Sequence, residues 1–120
     1  HWYVHLEMDV VDADAAKEYL KNQCKVEEKN GMYSFEFFSD NPDNPSKVLL
    51  LECFPSDDVQ IAHLENIQLD KWIQHFTNFK IHVYGNPPQS TIDRMRDAGF
   101  WPPAFEGEFL HVPYLLGFRK

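Results

Sequence analysis

The feature that most constrains the fold is the stretch from Gly31 to Phe79, which reads as two strands, a polar turn and a helix. Strands are predicted from Gly31 to Asp40 and from Lys47 to Phe54, and the segment 41–45, Asn-Pro-Asp-Asn-Pro, has the composition of a turn. Two strands at this spacing form a hairpin. The second strand contains the apolar run from Val48 to Leu51, so it is predicted to lie centrally in a sheet.

The helix after the hairpin carries the first candidate for chemistry, His63. This helix is predicted to run from Ser56 to about Asn78, because short acceptor and acidic side chains at its start suit an N-cap and first turn. Trp72 and Phe76 lie off the inward face, so either the helix bends between Asn66 and Leu69 or a second subunit covers its far side. The face predicted to point inward contains Val59, Ala62, His63, Asn66, Ile73 and Thr77.

The flanking segments complete a sheet around this unit. At the start of the chain apolar and polar residues alternate, which predicts a half-buried strand from His1 to Val10. The other predicted elements are a helix from Asp12 or Asp14 to about Lys29, a strand from Lys80 to Tyr84, a helix from Thr91 to Ala98 capped by Ser90, and a strand from Phe109 to Phe118 whose Pro113 requires an edge position or a bulge.

This order of elements predicts one α+β domain over residues 1–120, a ferredoxin-like sandwich with a C-terminal helix–strand extension. In such a sandwich both main helices lie on one face of the sheet, and an aromatic-rich second face is left bare. Pairing with an identical sheet is the simplest symmetric way to cover that face, so we expect a homodimer.

Charge and cysteine content exclude several classes of partner. The formal net charge of −8 argues against nucleic acid and against anionic membrane surfaces. No apolar run approaches the roughly 20 residues of a membrane span, and no signal-peptide pattern opens the chain. Cys24 and Cys53 lack the CxxC spacing and lie beside apolar residues, so we expect two buried free thiols and a cytoplasmic location.

Four segments in this order resemble the antibiotic biosynthesis monooxygenase (ABM, YgiN-like quinol monooxygenase) family of dimeric α+β barrels. They are Gly31-Met-Tyr-Ser-Phe-Glu36, the polar turn from Asp40 to Pro45, Val48-Leu-Leu-Leu-Glu-Cys-Phe54, and Ala62-His-Leu64. The resemblance implies a homodimer whose sheets form a dimeric α+β barrel, with a cavity between sheet and helices in each protomer. It also implies a monooxygenase that uses no metal or other cofactor, because electron-rich phenols, anthrones or quinols can reduce O₂ themselves once deprotonated.

The chain departs from the family at several catalytic positions. The Trp that ends the family's central strand is Phe54 here, and Gln68 stands near the position of a second helix His. The residues that serve the anthrone oxygenases align roughly with Leu50, Gln60 and Gln74. The alternatives are therefore a non-catalytic dimeric ligand-binding or accessory module, an isomerase or cyclase, or the haem-degrading branch of the same fold.

The candidate catalytic residues are His63, His5, His82 and Tyr84. A histidine pKa near 6.5 suits His63 as a general base facing the cavity, whereas a structural His63 bonded to a sheet carboxylate such as Glu52 is the competing interpretation.

His5, His82 and Tyr84 are predicted to meet where the first and fourth strands lie side by side. A zinc site from His5, His82 and His111 has no supporting ligand motif. The candidate substrate-binding residues, which would line an aromatic cavity for a small aromatic molecule, are Phe37, Phe54, Trp72, Phe76 and Trp101.

Overall fold

The computed structural model describes residues 1–119. The order of strands and helices follows the sequence prediction, apart from a break in the second predicted helix. The elements are β1 (Trp2–Val10), α1 (Ala13–Glu27), β2 (Ser34–Ser39), β3 (Lys47–Phe54), α2 (Asp57–Asn66), α3 (Leu69–His75), β4 (Phe76–Gly85), α4 (Gln89–Asp97) and β5 (Glu108–Val112).

The strands form one five-stranded sheet in the order β2-β3-β1-β4-β5. β1 pairs antiparallel with both β3 and β4, β2 pairs antiparallel with β3, and β5 joins the far edge parallel to β4. The predicted α+β, ferredoxin-like architecture is confirmed, with the last strand as an extension at the edge. Pro113 follows directly after β5, where no further ladder hydrogen bond is needed.

The sheet has an inner face covered by helices and an outer face that carries none of them. Alternation along β1 turns Trp2, Val4 and Met8 inward, where each is at most 4% exposed. Two clusters of buried residues form the core on this side. The first is Trp2, Val4, Phe54, Ile81, Val83, Met95 and Trp101; the second is Met8, Ala16, Leu20, Val48, Leu50, Trp72 and Phe76.

The outer face has a regular row of side chains at its centre. Following the strand order, the row consists of Glu36, Leu51, His5, His82 and Leu110, which are register partners from one strand to the next. Leu51 is 38% exposed and Leu110 is 46% exposed. Residues 113–119 follow β5 without helix or strand, and at their end Arg119 Nη1 donates to Cys53 Sγ at 3.0 Å.

The single long helix predicted from Ser56 to about Asn78 is wrong. The chain leaves α2 at Ile67 (ψ 128°) and Gln68 (ψ 93°), and it becomes the strand β4 at Phe76 rather than at Lys80. This break resets the helical phase. Phe76 and Trp72, which the pattern placed off the inward face, are therefore buried, and Ile73, which it placed inward, is 56% exposed.

Three smaller predictions are also wrong. Pro88, not Ser90, is the N-cap of α4, and the Ser90 hydroxyl instead donates to Asp57 Oδ2 at 3.0 Å. The last strand ends at Val112 instead of Phe118. Cys24 is free but exposed, whereas Cys53 is free and buried as expected.

Candidate acid–base site

His63 lies between two glutamates in the interior of the protein. Its Nδ1 is 2.9 Å from Oε1 of Glu27 and its Nε2 is 2.8 Å from Oε2 of Glu52. The three side chains are 2–3% exposed. His63 comes from α2, Glu27 is the last residue of α1, and Glu52 points inward from β3. His63 therefore contacts the sheet carboxylate Glu52, as the competing interpretation expected, and it also contacts a second carboxylate, Glu27.

The two carboxylates determine the charge of the imidazole. Burial alone would lower the pKa of His63, but the charges of Glu52 and Glu27 and their contacts raise that pKa to about 9. The pKa of His63 therefore lies above the ordinary histidine value of about 6.5, which favours the imidazolium at neutral pH. It can donate a proton there but not accept one.

Small cavities lie on both sides of this cluster. One holds about 40 Å³ and is lined in part by Glu52, His63, Gln60, Phe54 and Phe100. The other holds about 20 Å³ and is lined by Glu52 and His63 together with Trp72 and Phe79, among others. Each has room for roughly one to three water molecules. A typical site for a drug-sized ligand occupies about 300 Å³ or more.

A polar network on α2 and α4 fixes the orientation of Gln60 at the edge of the larger cavity. Arg94 Nη1 donates to Gln60 Oε1 at 2.9 Å and to Asp57 Oδ1 at 2.7 Å. Because a guanidinium can only donate, the amide oxygen of Gln60 faces Arg94 and its NH₂ group points away from it. Gln60 is 2% exposed and lines the same cavity as His63, so the amide is a second hydrogen-bond donor available there.

Asp57 is the anchor of this network. Its carboxylate also accepts hydrogen bonds from the hydroxyls of Thr91 and Ser90. The hydrogen bonds from Arg94 and then from these hydroxyls lower the pKa of Asp57 to about 2. The carboxylate therefore stays ionised over the whole physiological range and holds Arg94 in place.

His5, His82 and Tyr84 do come together, but on the outer face of the sheet. The rings of His5 and His82 are 5.9 Å apart between centroids, and the two residues are register partners. Tyr84 Oη lies 3.4 Å from His82 Nδ1, and Glu108 Oε2 lies 3.1 Å from His82 Nε2. His63 lies on the inner face, so the sheet separates it from the other three candidates, and the four residues do not form one site.

The five predicted aromatic residues are divided between the cavities and the core. Phe54 and Trp72 line the two cavities beside His63. Phe37 lies over Trp72, with 6.4 Å between ring centroids. Phe76 is fully buried in the core, and Trp101 packs edge-on against Phe109 and His111.

Neither a metal site nor a membrane span is found in the described part of the chain. Among residues 1–119, no group of three or more His, Cys, Asp and Glu side chains could hold a metal ion. His111, the third residue of the zinc alternative, donates from Nε2 to the Gly85 carbonyl at 2.9 Å. No helix within the same residues is long and apolar enough to cross a membrane.

Comparison with known proteins gives matches in structure and none in sequence. No family model matches the chain, and no curated protein does. MupZ from Pseudomonas fluorescens has a TM-score of 0.66 at 16% identity, over 98% of this chain and 88% of that chain. A candidate antibiotic biosynthesis monooxygenase from Nitrosomonas europaea has a TM-score of 0.54 at 22% identity, over 72% and 90% of the two chains. A candidate member from Deinococcus radiodurans has a TM-score of 0.51 at 15% identity, over 73% and 94%.

The chain has the ABM fold. At these identities the likeness establishes the fold alone, and at that level the predicted resemblance is confirmed.

Of the residues at this site, His63 and Glu52 stand out in the sequence, whereas Glu27 and the Gln60–Arg94 pair emerge only in the structure. The sequence does carry a signal for Glu27, because this residue lies on the same helical stripe as Ala16 and Leu20 and so faces the core. No comparable signal exists for Arg94, whose contact with Gln60 joins residues 34 positions apart.

Proposed function

We propose that this chain is a small cofactor-independent monooxygenase of the ABM type, acting on a phenol- or quinol-like aromatic molecule beside His63. The observation that carries the proposal is a buried imidazolium and a carboxylate, His63 and Glu52, which line the same apolar cavities. A site that supplies an acid, a base and a dry environment suits a substrate that can itself reduce O₂ after losing a proton.

The proposed reaction starts with proton transfer from the substrate hydroxyl to Glu52. The electron-rich phenolate then passes one electron to O₂, and the resulting radical and superoxide combine to form a carbon–oxygen bond. His63 protonates the peroxide anion, and loss of water leaves a quinone. One oxygen atom is then in the product and the other in water, and the proton on Glu52 returns to His63. Glu52 is therefore the proposed base and His63 the proposed acid.

Gln60 is proposed to bind the substrate oxygen. Its NH₂ group and the His63 imidazolium both line the larger cavity, so they can donate together to an oxygen that becomes negative. Such donors stabilise an anion more strongly in an apolar cavity than in water. Phe100 and Ile67 line both cavities, so displacement of these two side chains is the proposed first step in enlarging the space beside His63 for a substrate.

A homodimer formed through the outer face of the sheet is part of the proposal. The row Leu51, His5 and His82 lies at the centre of that face, with Leu110 and Tyr84 beside it. Exposed apolar and aromatic residues grouped on one sheet face are typical of an interface. Free thiols at Cys24 and Cys53 fit a reducing compartment, so we also propose a cytoplasmic location.

Oxygen consumption tests the proposal. Wild-type protein is incubated with a panel of quinols, naphthols and anthrones in an oxygen electrode, alongside His63→Gln and Glu52→Gln. We expect uptake with at least one compound and a loss of about 100-fold or more in either variant. His75→Gln is the control, because His75 stacks on Tyr19 away from the cavities. Absence of uptake across the panel would refute oxygenase activity, and loss of the rate in His5→Gln or His82→Gln alone would move the site to the outer face.

A second candidate function is a non-catalytic binding or accessory module. The small volumes beside His63, about 40 and 20 Å³, favour it, because the site as it stands is closed to an aromatic ring. In that case the charged cluster is structural. If all three residues, His63, Glu27 and Glu52, are replaced by apolar residues of similar volume, the free energy of unfolding should then stay equal or rise.

A further inference from the structure

The chain after β5 runs back across the outer face of the sheet. Residues 113–119, which we call the C-terminal arm, cross the end of that face where Tyr84, Tyr3 and Cys53 are register partners on β4, β1 and β3. At the far end of the crossing, Arg119 Nη1 donates to Cys53 Sγ at 3.0 Å. Cys53 is 1% exposed, so the end of the arm is packed against β3.

The arm is held at both ends, but its middle stands away from the sheet. Near its start, the backbone N–H of Tyr114 donates to Asn86 Oδ1 at 3.3 Å. Tyr114 Oη donates to the Gly117 carbonyl at 2.8 Å, which closes a turn within the arm. Tyr3 and Tyr84, which the arm crosses, remain 38% and 39% exposed. The arm therefore bridges the two tyrosines without covering them.

The space between the arm and the two tyrosines is a cleft of about 340 Å³. This volume lies in the range of small-molecule sites, unlike the cavities of about 40 and 20 Å³ beside His63. Tyr3, Tyr84 and Val112 line the cleft on the sheet side, and Leu116 lines it from the arm. Its walls are therefore largely aromatic and aliphatic.

The fixed charge in the cleft is positive, although the whole chain carries a formal charge of −8. The lining residues, all in the described part of the chain, include Arg119 and neither Asp nor Glu. Arg119 contacts a thiol, which is a weak acceptor, and its guanidinium carbon lies 4.2 Å from the centre of the Tyr33 ring. Within residues 1–119, no carboxylate lies within ion-pair distance of Arg119. The guanidinium can therefore pair with an anion that enters the cleft.

We propose that this cleft binds a small aromatic carboxylate. The aromatic ring packs against Tyr3 and Tyr84, and the carboxylate accepts charge-assisted hydrogen bonds from the remaining N–H groups of Arg119. An inorganic anion would leave the apolar walls in water, and a neutral aromatic molecule would leave Arg119 without an anion. Only a ligand with both parts uses both features of the cleft. The site lies across the sheet from His63, so it is separate from the proposed oxygenase site.

Isothermal titration calorimetry with naphthoate as the probe tests the proposal. We expect saturable binding of a single probe per chain, and binding that weakens as salt is raised, since part of it is charge attraction. The neutral analogue naphthalenemethanol is expected to bind about tenfold more weakly, because it cannot form the charge-assisted hydrogen bonds. Arg119→Gln should weaken naphthoate binding by a similar factor. Arg119→Lys keeps the charge without the planar fork and should retain part of the affinity.

Arg96→Gln is the matched control. It removes the same charge from α4, outside the cleft, where Arg96 Nε donates to the Pro102 carbonyl at 3.0 Å. We expect this variant to bind naphthoate nearly as the wild type does. An equal effect of Arg96→Gln and Arg119→Gln would mean that the probe senses net charge only, and this would overturn the proposal.

NMR locates the bound probe independently of affinity. Naphthoate is expected to shift the amide signals of Tyr3, Tyr84 and residues 113–119. Shift changes confined to α2, which carries His63, would place the probe on the other side of the sheet and overturn the proposal. Equal binding of naphthalenemethanol, or no saturable binding of naphthoate, would also overturn it. None of these measurements requires turnover, so their failure is distinguishable from a failure of the oxygenase proposal.

Discussion

His63 Nε2 lies 2.8 Å from Glu52 Oε2, and both residues are buried on the helical side of the sheet. Glu27 completes the contact from the opposite ring nitrogen at 2.9 Å. A titrating group with this environment couples protonation to folding, and the coupling can be measured without knowing a substrate.

The contribution of His63 to the free energy of unfolding is predicted to fall as pH rises. The folded-state pKa of about 9 exceeds the ordinary value of 6.5, so the stabilisation is fully present below about pH 6.5 and is lost as pH rises through about 9. A difference of this size corresponds to about 3 kcal/mol. Urea unfolding at about pH 6 and about pH 9.5 measures it. In His63→Gln the free energies of unfolding at these two pH values should differ much less. Parallel pH profiles of stability for wild type and variant would contradict the assignment of this effect to His63.

Glu27→Gln is predicted to lower the pKa of His63 while leaving the cavity wall in place. One of the two charges that hold the imidazole protonated is removed, so the pKa should fall by roughly one unit or more. NMR titration of the His63 ring protons gives the value directly. Glu28→Gln provides the control, because Glu28 is the exposed neighbour of Glu27. A similar shift in both variants would mean that the contact between Glu27 and His63 is unimportant.

Arg94→Leu is predicted to lower the free energy of unfolding by about 2 kcal/mol, because Asp57 and the buried amide of Gln60 both lose their donor. Arg94→Lys should recover part of this loss through charge alone.

The pKa of Asp57, about 2 in the wild type, lies below its ordinary value, so the stabilisation it reports is present above about pH 4 and is lost as pH falls towards 2. Arg94→Leu should therefore flatten the acid limb of the stability profile. If the acid limb is unchanged in Arg94→Leu, the low pKa of Asp57 does not depend on Arg94.

Leu51→Glu is predicted to separate the proposed homodimer. Leu51 is the register partner of His5 at the centre of the outer face, and a buried unpaired charge at that position opposes association. Sedimentation equilibrium should give about twice 14.1 kDa for wild type and 14.1 kDa for the variant. Val26→Glu, on the exposed side of α1, should remain dimeric. A monomeric wild type would remove the dimer from the proposal.

The strand pattern was predictable because alternation is a local property. The alternation of β1 and the apolar run of β3 correctly indicated a half-buried strand and a central strand. The break between α2 and α3 was harder to predict. It falls at Ile67 and Gln68, where there is no Gly or Pro to end a helix, and the sequence pattern indicated only a bend there. The strand starting at Phe76 was missed for the same reason, since a continued helix fits the apolar spacing equally well.

The candidate site was predictable only in part, because its members come from three elements. His63 and Glu52 stood out as single residues on faces predicted to point inward, and Glu52 was named as a partner. Glu27 belongs to the end of a helix where acidic residues are ordinarily solvated, so its burial depends on how α1 packs against α2. The pKa of His63 follows from that packing and could not be taken from the residue type.

β3 also limits how this protein can change over evolution. Leu51 and Glu52 are neighbours in sequence, yet one faces the outer sheet surface and the other faces His63. Because strand side chains alternate, inserting or deleting one residue before this pair would exchange their sides. A glutamate would then lie in the proposed interface, and a leucine would face the imidazolium. We therefore expect length changes to be tolerated in the turn at 41–45 and selected against within β3 itself.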